Sequence, residues 1–201
     1  SCEHQCRGEA MTVSLSLPFP EPWGAILTGT DNVATVEEII ASAAELSPEF
    51  ATAMRTSLTE LAGYLEDLGI HAFASLYIPG DEPSSRVHAW CAVALLTGAP
   101  TGPAALRDLV GDSPFDSLET DITMMRRPDG HLARAASLRG ETRLPDENGH
   151  WPYLASYRYA FGIDDSSVAL FHFETASLAY LDELAEMFDA IATEAHVTRE
   201  S

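Results

Sequence analysis

Lysine is absent from the 201 residues: all 11 basic side chains are arginine, set against 31 aspartates and glutamates, for a net charge of −20. A balance this acidic repels phosphate backbones and anionic bilayers, which excludes general nucleic-acid and charged-membrane binding as the chain's business. Without lysine there is also no Gly-rich loop ending in G-K-[ST], and no G-x-G-x-x-G stands between strand and helix patterns. H-E-x-x-H, C-x-x-C and the G-x-S-x-G nucleophile elbow are missing too. Cysteine is scarce, with three residues. No apolar run approaches the roughly 18 residues of a membrane span, and no basic head followed by an apolar segment marks a secretion signal, so a cytoplasmic location is expected.

Two of the cysteines fall in the polar opening "SCEHQCRGEAM". Cys2, His4 and Cys6 lack a fourth partner for a closed metal shell, so no metal or other cofactor is expected. The opening is read as a flexible extension, residues 1–10, ahead of one domain at 11–197. An exported alternative requires a signal and lipobox upstream of Cys2. Arginine-only usage with abundant alanine has the bias of a GC-rich, actinobacterium-like coding origin.

A hydrophobic content of 46% is enough to bury a sizeable core in one domain. "TVSLSLPFPEPW" alternates Val13, Leu15 and Leu17 before its prolines and Trp23, predicting a strand that ends in a rigid turn with Trp23 plugging the core's edge. "TVEE", Thr35 to Glu38, has capping-box form ahead of a short helix. Ser47 and Pro48 open a second helix whose stripe, Met54, Leu58, Leu61, Leu65 and Leu68, stops at Gly69. Two strand-like runs follow around "GDEPSS", with Cys91 read as a small buried residue rather than a nucleophile. "TGPAALRDLVG" predicts a short helix. "RPDG" is a turn between extended arms, and Trp151 to Phe161 alternates aromatics on a face read as core. The last strand passes into an amphipathic helix, Leu178 to Ile191, capped by Thr175 or Ser177. Hairpin-length connections imply antiparallel pairing. The expected fold is α+β, an antiparallel sheet of about six to seven strands covered by helices, possibly on both faces.

For chemistry the residues offer little. The seven histidines are dispersed. A hydrolase would have to assemble His172, Asp164 and Ser166, and the adjacent Asp164 and Asp165 are what a turn ordinarily contains. Six arginines fall within 33 residues: Arg126, Arg127, Arg134, Arg139, Arg143 and Arg158. The strand reading gathers them on neighbouring strands, either as a patch for an acidic peptide or paired internally with Glu119, Asp121 and Glu141.

The closing "VALFHFETASLAYLDELAEMFDAIATEAHV" and the early "VSLSLPFPEPW" resemble the PsbP-like proteins, whose branches include LpqN-like actinobacterial lipoproteins. The resemblance implies an α/β/α sandwich and a role in binding other proteins, with no catalytic residues to carry over. The expected function is a non-enzymatic, chaperone-like or protein-binding adaptor. Its partner is expected to be another protein or a peptide, gripped by Arg126, Arg127, Arg134, Arg139 and Arg158.

Overall fold

The computed structural model describes residues 12–20, 23–28, 32–42, 48–78, 86–112, 119–140 and 153–200. Cys2, His4, Cys6, Ser47, Glu141, Arg143, Trp151 and the "GDEPSS" loop lie outside them. Nine strands and four α-helices are present among the described residues. In chain order they are β1 (Thr12–Ser16), β2 (Trp23–Leu27), α1 (Asn32–Ser42), α2 (Pro48–Asp67), β3 (Ile70–Ile78), β4 (Arg86–Thr97), α3 (Pro103–Gly111), β5 (Glu119–Arg127), β6 (Gly130–Gly140), β7 (Tyr153–Asp164), β8 (Ser167–Thr175), α4 (Leu181–Glu194) and β9 (His196–Glu200).

Seven strands form one antiparallel sheet in the order β2-β3-β4-β8-β7-β6-β5. From β2 the chain passes through α1 and α2 to β3, which pairs antiparallel with the β4 that follows it, and α3 then carries it to the far edge. From β5 it meanders back until β8 closes against β4. The fold is therefore α+β with helices on both faces, as the alternating and helical stripes require. One face carries Ala74, Cys91, Phe171, Phe173, Tyr157 and Tyr159 against Leu184, Phe188 and Ile191 of α4. The other packs Ala133, Ala135, Ala160 and Val168 under Leu106 and Val110 of α3. Phe173 and Phe188 stack with centroids 4.5 Å apart, and Trp23 meets both rings edge-on while its indole N–H donates to Met187 Sδ at 3.2 Å. Trp23 thus closes the core's edge, as its place after the prolines implies. The aromatic alternation of β7 is core from Tyr157 to Phe161, and Cys91 is fully buried.

Several local expectations shift. Trp23 begins a strand, β2, where only a turn was anticipated. α1 is helical from Asn32, so Thr35 to Glu38 lies inside it rather than capping it; asparagine is itself a favoured helix-start residue. α2 opens on Pro48, and Gly69 with φ of 72° turns the chain into β3, as expected. Its stripe is only partly used: Leu65 is buried while Leu68 is 56% exposed. Neither Thr175 nor Ser177 caps α4. Thr175 Oγ1 accepts the Ser177 N–H and donates to the His88 carbonyl, and Ser177 Oγ is 3.0 Å from His88 Nδ1. With both hydroxyls engaged, the chain makes a 3-10 turn, Leu178–Tyr180, before α4 begins. Finally β9, which the sequence reading missed, pairs with β1 in a separate two-stranded ribbon running to Glu200.

Candidate functional site

The arginine-rich segment is divided by strand alternation. Directly opposed residues of an antiparallel pair share a face. Arg127 and Arg134 therefore lie on the α4 face, while Arg126, Arg139 and Arg158 lie on the α3 face. Arg127 is buried with its guanidinium 3.6 Å over the Phe161 ring. It donates to the carbonyls of Ala192 and Ala195 and pairs with Asp129 at 3.1 Å, so it ties the end of β5 to the C-terminus of α4, where carbonyls lack helical partners. Arg134 packs over Tyr157 and lies 3.1 Å from Asp189. Its Nε–H is not aligned for a hydrogen bond, so the contact is an ion pair only. Asp189 also accepts the Tyr159 hydroxyl at 2.7 Å, and burial with that carboxylate raises the phenol's pKa. Arg126 is exposed at the far end of β5. Among the described residues Arg127 pairs with Asp129, Arg134 with Asp189 and Arg139 with Glu174, partners more distant in the chain than sequence proximity suggested for the last two; Glu141 lies outside those residues.

The α3 face gathers a different set. Strand pairing aligns Ser75, Trp90, Glu174 and Ser156 in one row and Phe73, Ala92, His172 and Arg158 in the next. Phe73 stacks on Trp90 with centroids 6.0 Å apart, and Trp90 stacks on His172 at 5.2 Å. His172 Nε2 is 3.1 Å from Ser156 Oγ. Arg139 reaches across β7 to Glu174 through Nε and Nη2, both directed at one carboxylate oxygen. Arg158 donates from Nη1 to the backbone carbonyl of Asp112, just past α3, at 2.8 Å. Its Nη2 is buried with no hydrogen-bond partner, although the residue is only 5% exposed. Ser156 and Glu174 are buried as well. Buried polar groups are normally paired, so an unfilled guanidinium donor next to His172, the end ring of the Phe73–Trp90–His172 stack, is the feature on this face that calls for a ligand.

Electrostatics define what the strip can do. Burial, helped by the charges of Arg158 and Arg139, lowers His172 from 6.5 to about 4. It is therefore a neutral imidazole at ordinary pH. Burial also lowers the Arg158 pKa, opposed by the Asp112 carboxylate, which is exposed to water. Burial pushes the Cys91 thiol well up, which leaves it unreactive.

The histidine, aspartate and serine considered for hydrolysis are not brought together. Asp164 and Ser166 belong to the β7–β8 turn, where Asp164 Oδ1 accepts the Ser166 N–H. His172 lies five residues along β8 from Ser167, which opposes Asp164, or roughly 17 Å away at strand rise. Sequence reasoning missed Phe73, Trp90, Ser156 and Glu174. The available signal was polar residues at alternate positions, Ser156 and Arg158 on β7 and His172 and Glu174 on β8, interleaved with core aromatics.

Among the described residues, clefts lie away from this strip. One of about 250 Å³ sits by the hairpin turns, lined by Arg127, Asp129, His131 and Asp164 among others. A shallow groove of about 470 Å³ runs along α3 past Leu109 to Asp112.

No family model matches the chain, and no curated protein matches it. Among solved structures it is similar to the crystal structure of LpqN, involved in cell envelope biogenesis of Mycobacterium tuberculosis. The identity is 10% over 96% of this chain and 87% of that one, with a TM-score of 0.48. No helix among the described residues is long and apolar enough to cross a membrane.

Proposed function

We propose that this chain is a non-enzymatic binding domain whose protein or peptide partner docks on the α3 face, along the strip from Phe73 to Arg158. The observation that carries this reading is the unfilled Nη2 of Arg158 next to His172, the last ring of the stack from Phe73 through Trp90. Exposed Tyr180, edge-on to His88 on the strand that carries Trp90, and the neighbouring exposed Leu178 support it, since aromatic and apolar surface near a buried arginine is the composition of interface hot spots. Arg139, fixed on Glu174, borders the same surface. Arg126 stands at its far edge, while Arg127 and Arg134 act on the partner only through the α4 packing they maintain.

An alternative in which Ser156 and His172 form a nucleophile and base is disfavoured by charge. A base must carry the proton it takes. An imidazolium here would sit among two guanidiniums and in a buried site, a penalty of roughly 3 kcal/mol relative to water. Catalytic bases are tuned toward the working pH, and His172 is tuned away from it.

The test is capture of a stoichiometric partner by tagged protein, followed by reconstitution of the purified pair. Replacement of Trp90 or Tyr180 by alanine is expected to abolish the reconstituted complex while Arg126→Ala leaves it intact. A complex indifferent to both changes would place the interface elsewhere. Ser156→Ala is expected to leave any measured ester turnover unchanged, and loss of turnover would restore the enzyme alternative. The cytoplasmic setting and the exported, lipoprotein-like alternative are separated by fractionating cells that express the chain from its native reading frame.

A further inference from the structure

We propose that the group recognised by this strip is a single carboxylate carried next to a planar ring, with Arg158 Nη2 donating to the carboxylate and the ring lying along Trp90 and His172. The inference rests on the binding reading above and adds the chemistry of the ligand. Arg139 and Glu174 neutralise one another through their hydrogen bonds. Arg158 has a backbone carbonyl on Nη1 and no acceptor on Nη2. The Asp112 carboxylate acts on it only electrostatically and from water, where it is screened. The site therefore holds one buried cation short of one acceptor. A neutral carbonyl would fill the bond, but an anion fills the bond and the charge together.

A phosphate dianion asks for a second positive charge. The imidazole that faces Arg158 from β8 is His172, boxed by Trp90, Ser156 and the two guanidiniums. It stays neutral and supplies none. The Phe73–Trp90–His172 ladder, with successive interplanar angles of 23° and 20°, offers a wall of parallel planes in which a further flat group continues the stack.

The probes are N-acetylphenylalanine, its amide and phenyl phosphate, titrated into the full chain and followed by NMR of the Arg158 guanidinium and the Trp90 indole. One charge-assisted bond and one ring contact give affinity of about 1 mM, so titration runs to roughly 10 mM. The acid is expected to shift both signals and to bind at least about tenfold more tightly than the amide or the phosphate, as loss of a charge-assisted bond implies. Arg158→Lys and Trp90→Ala, which keep the positive charge and the fold's core respectively, are each expected to weaken the acid about tenfold. Equal binding of the amide would overturn the carboxylate in favour of a neutral acceptor. Tighter binding of phenyl phosphate would overturn it in favour of a phosphate. No shift with any probe would assign Nη2 to a buried water and end the inference. Acetyl-Asp-Phe-amide and acetyl-Ser-Phe acid then separate a side-chain carboxylate from a chain terminus, and binding of either supports the proposal. A reconstituted partner complex that is lost in Tyr180→Ala yet untouched by Arg158→Lys would leave the binding reading standing while removing the carboxylate.

Discussion

Replacing His172 with glutamine removes the one imidazole whose protonation the fold opposes strongly among the described residues, and the effect on stability is specific in sign and in pH window. In the folded chain His172 titrates at about 4 against 6.5 when exposed. The folded value is the lower, so between these limits the unfolded chain binds more protons. Stability therefore falls as pH drops from 6.5 toward 4 and is level above 6.5. Between pH 7.5 and 4.5 the loss attributable to this residue is about 2.5 kcal/mol. At a urea dependence of about 2 to 3 kcal/mol per molar, that is a midpoint shift of roughly 1 M. Carboxylates contribute their own acid dependence in both proteins, so the quantity to read is the difference between the wild-type and His172→Gln midpoints across the pH series. Wild type is expected to lose about 1 M more than the variant. Glutamine keeps a donor and an acceptor for Ser156, which limits the offset at neutral pH. Parallel midpoint curves would show that the imidazole is accessible or pairs with an anion, and the case against a Ser156–His172 catalytic pair would fall with it.

Three other outcomes follow from named contacts. Phe188→Ala, which empties the fully buried stack on Phe173 beneath Trp23, is expected to cost about 3 to 5 kcal/mol and lower Tm by roughly 10 °C in calorimetry. Arg127→Met leaves the Ala192 and Ala195 carbonyls without their donor and is expected to destabilise by about 2 to 3 kcal/mol in urea titration; exposed Arg126→Met should stay within about 0.5 kcal/mol. Cys91, fully buried with its thiol pKa raised, is expected to resist a thiol reagent in the folded chain and to react at once when urea unfolds it; prompt labelling of the native protein would show that β4 opens readily.

Much of the fold was legible because local rules coincide with tertiary demand. Pro48 and Gly69 bracket α2, "RPDG" turns β5 into β6, and the alternation from Tyr157 to Phe161 is buried because that face of β7 meets α4. What was illegible depended on partners distant in sequence. β2 and β9 are five residues each, and what marks them as strands is the neighbours they pair with, β3 and β1. The arginines looked like one patch because they are close in sequence. Strand parity sends Arg127 and Arg134 to one face and Arg139 and Arg158 to the other, and the first pair is drawn to α4 by Asp189 and two helix-end carbonyls. The strip itself is spread over five strands, from Phe73 to Arg139. No local spacing could join Trp90 to His172, which meet only because β8 returns to pair with β4.

That return also places a cationic donor inside a chain of charge −20, and the two act over different ranges. A partner of net negative charge is repelled while distant, and its carboxylate is attracted once seated against Arg158. The screening length falls from about 30 Å at 0.01 M salt to about 8 Å at 0.15 M, so added salt removes most of the repulsion. The contact itself is buried and screened far less. Association is therefore expected to speed up as salt rises while dissociation changes little, the reverse of a complex steered by opposite charges. Stopped-flow association of the reconstituted pair over this salt range reads the sign directly. An association rate that falls with salt would mean that the partner's net charge is positive, and the expected long-range repulsion would have to be withdrawn.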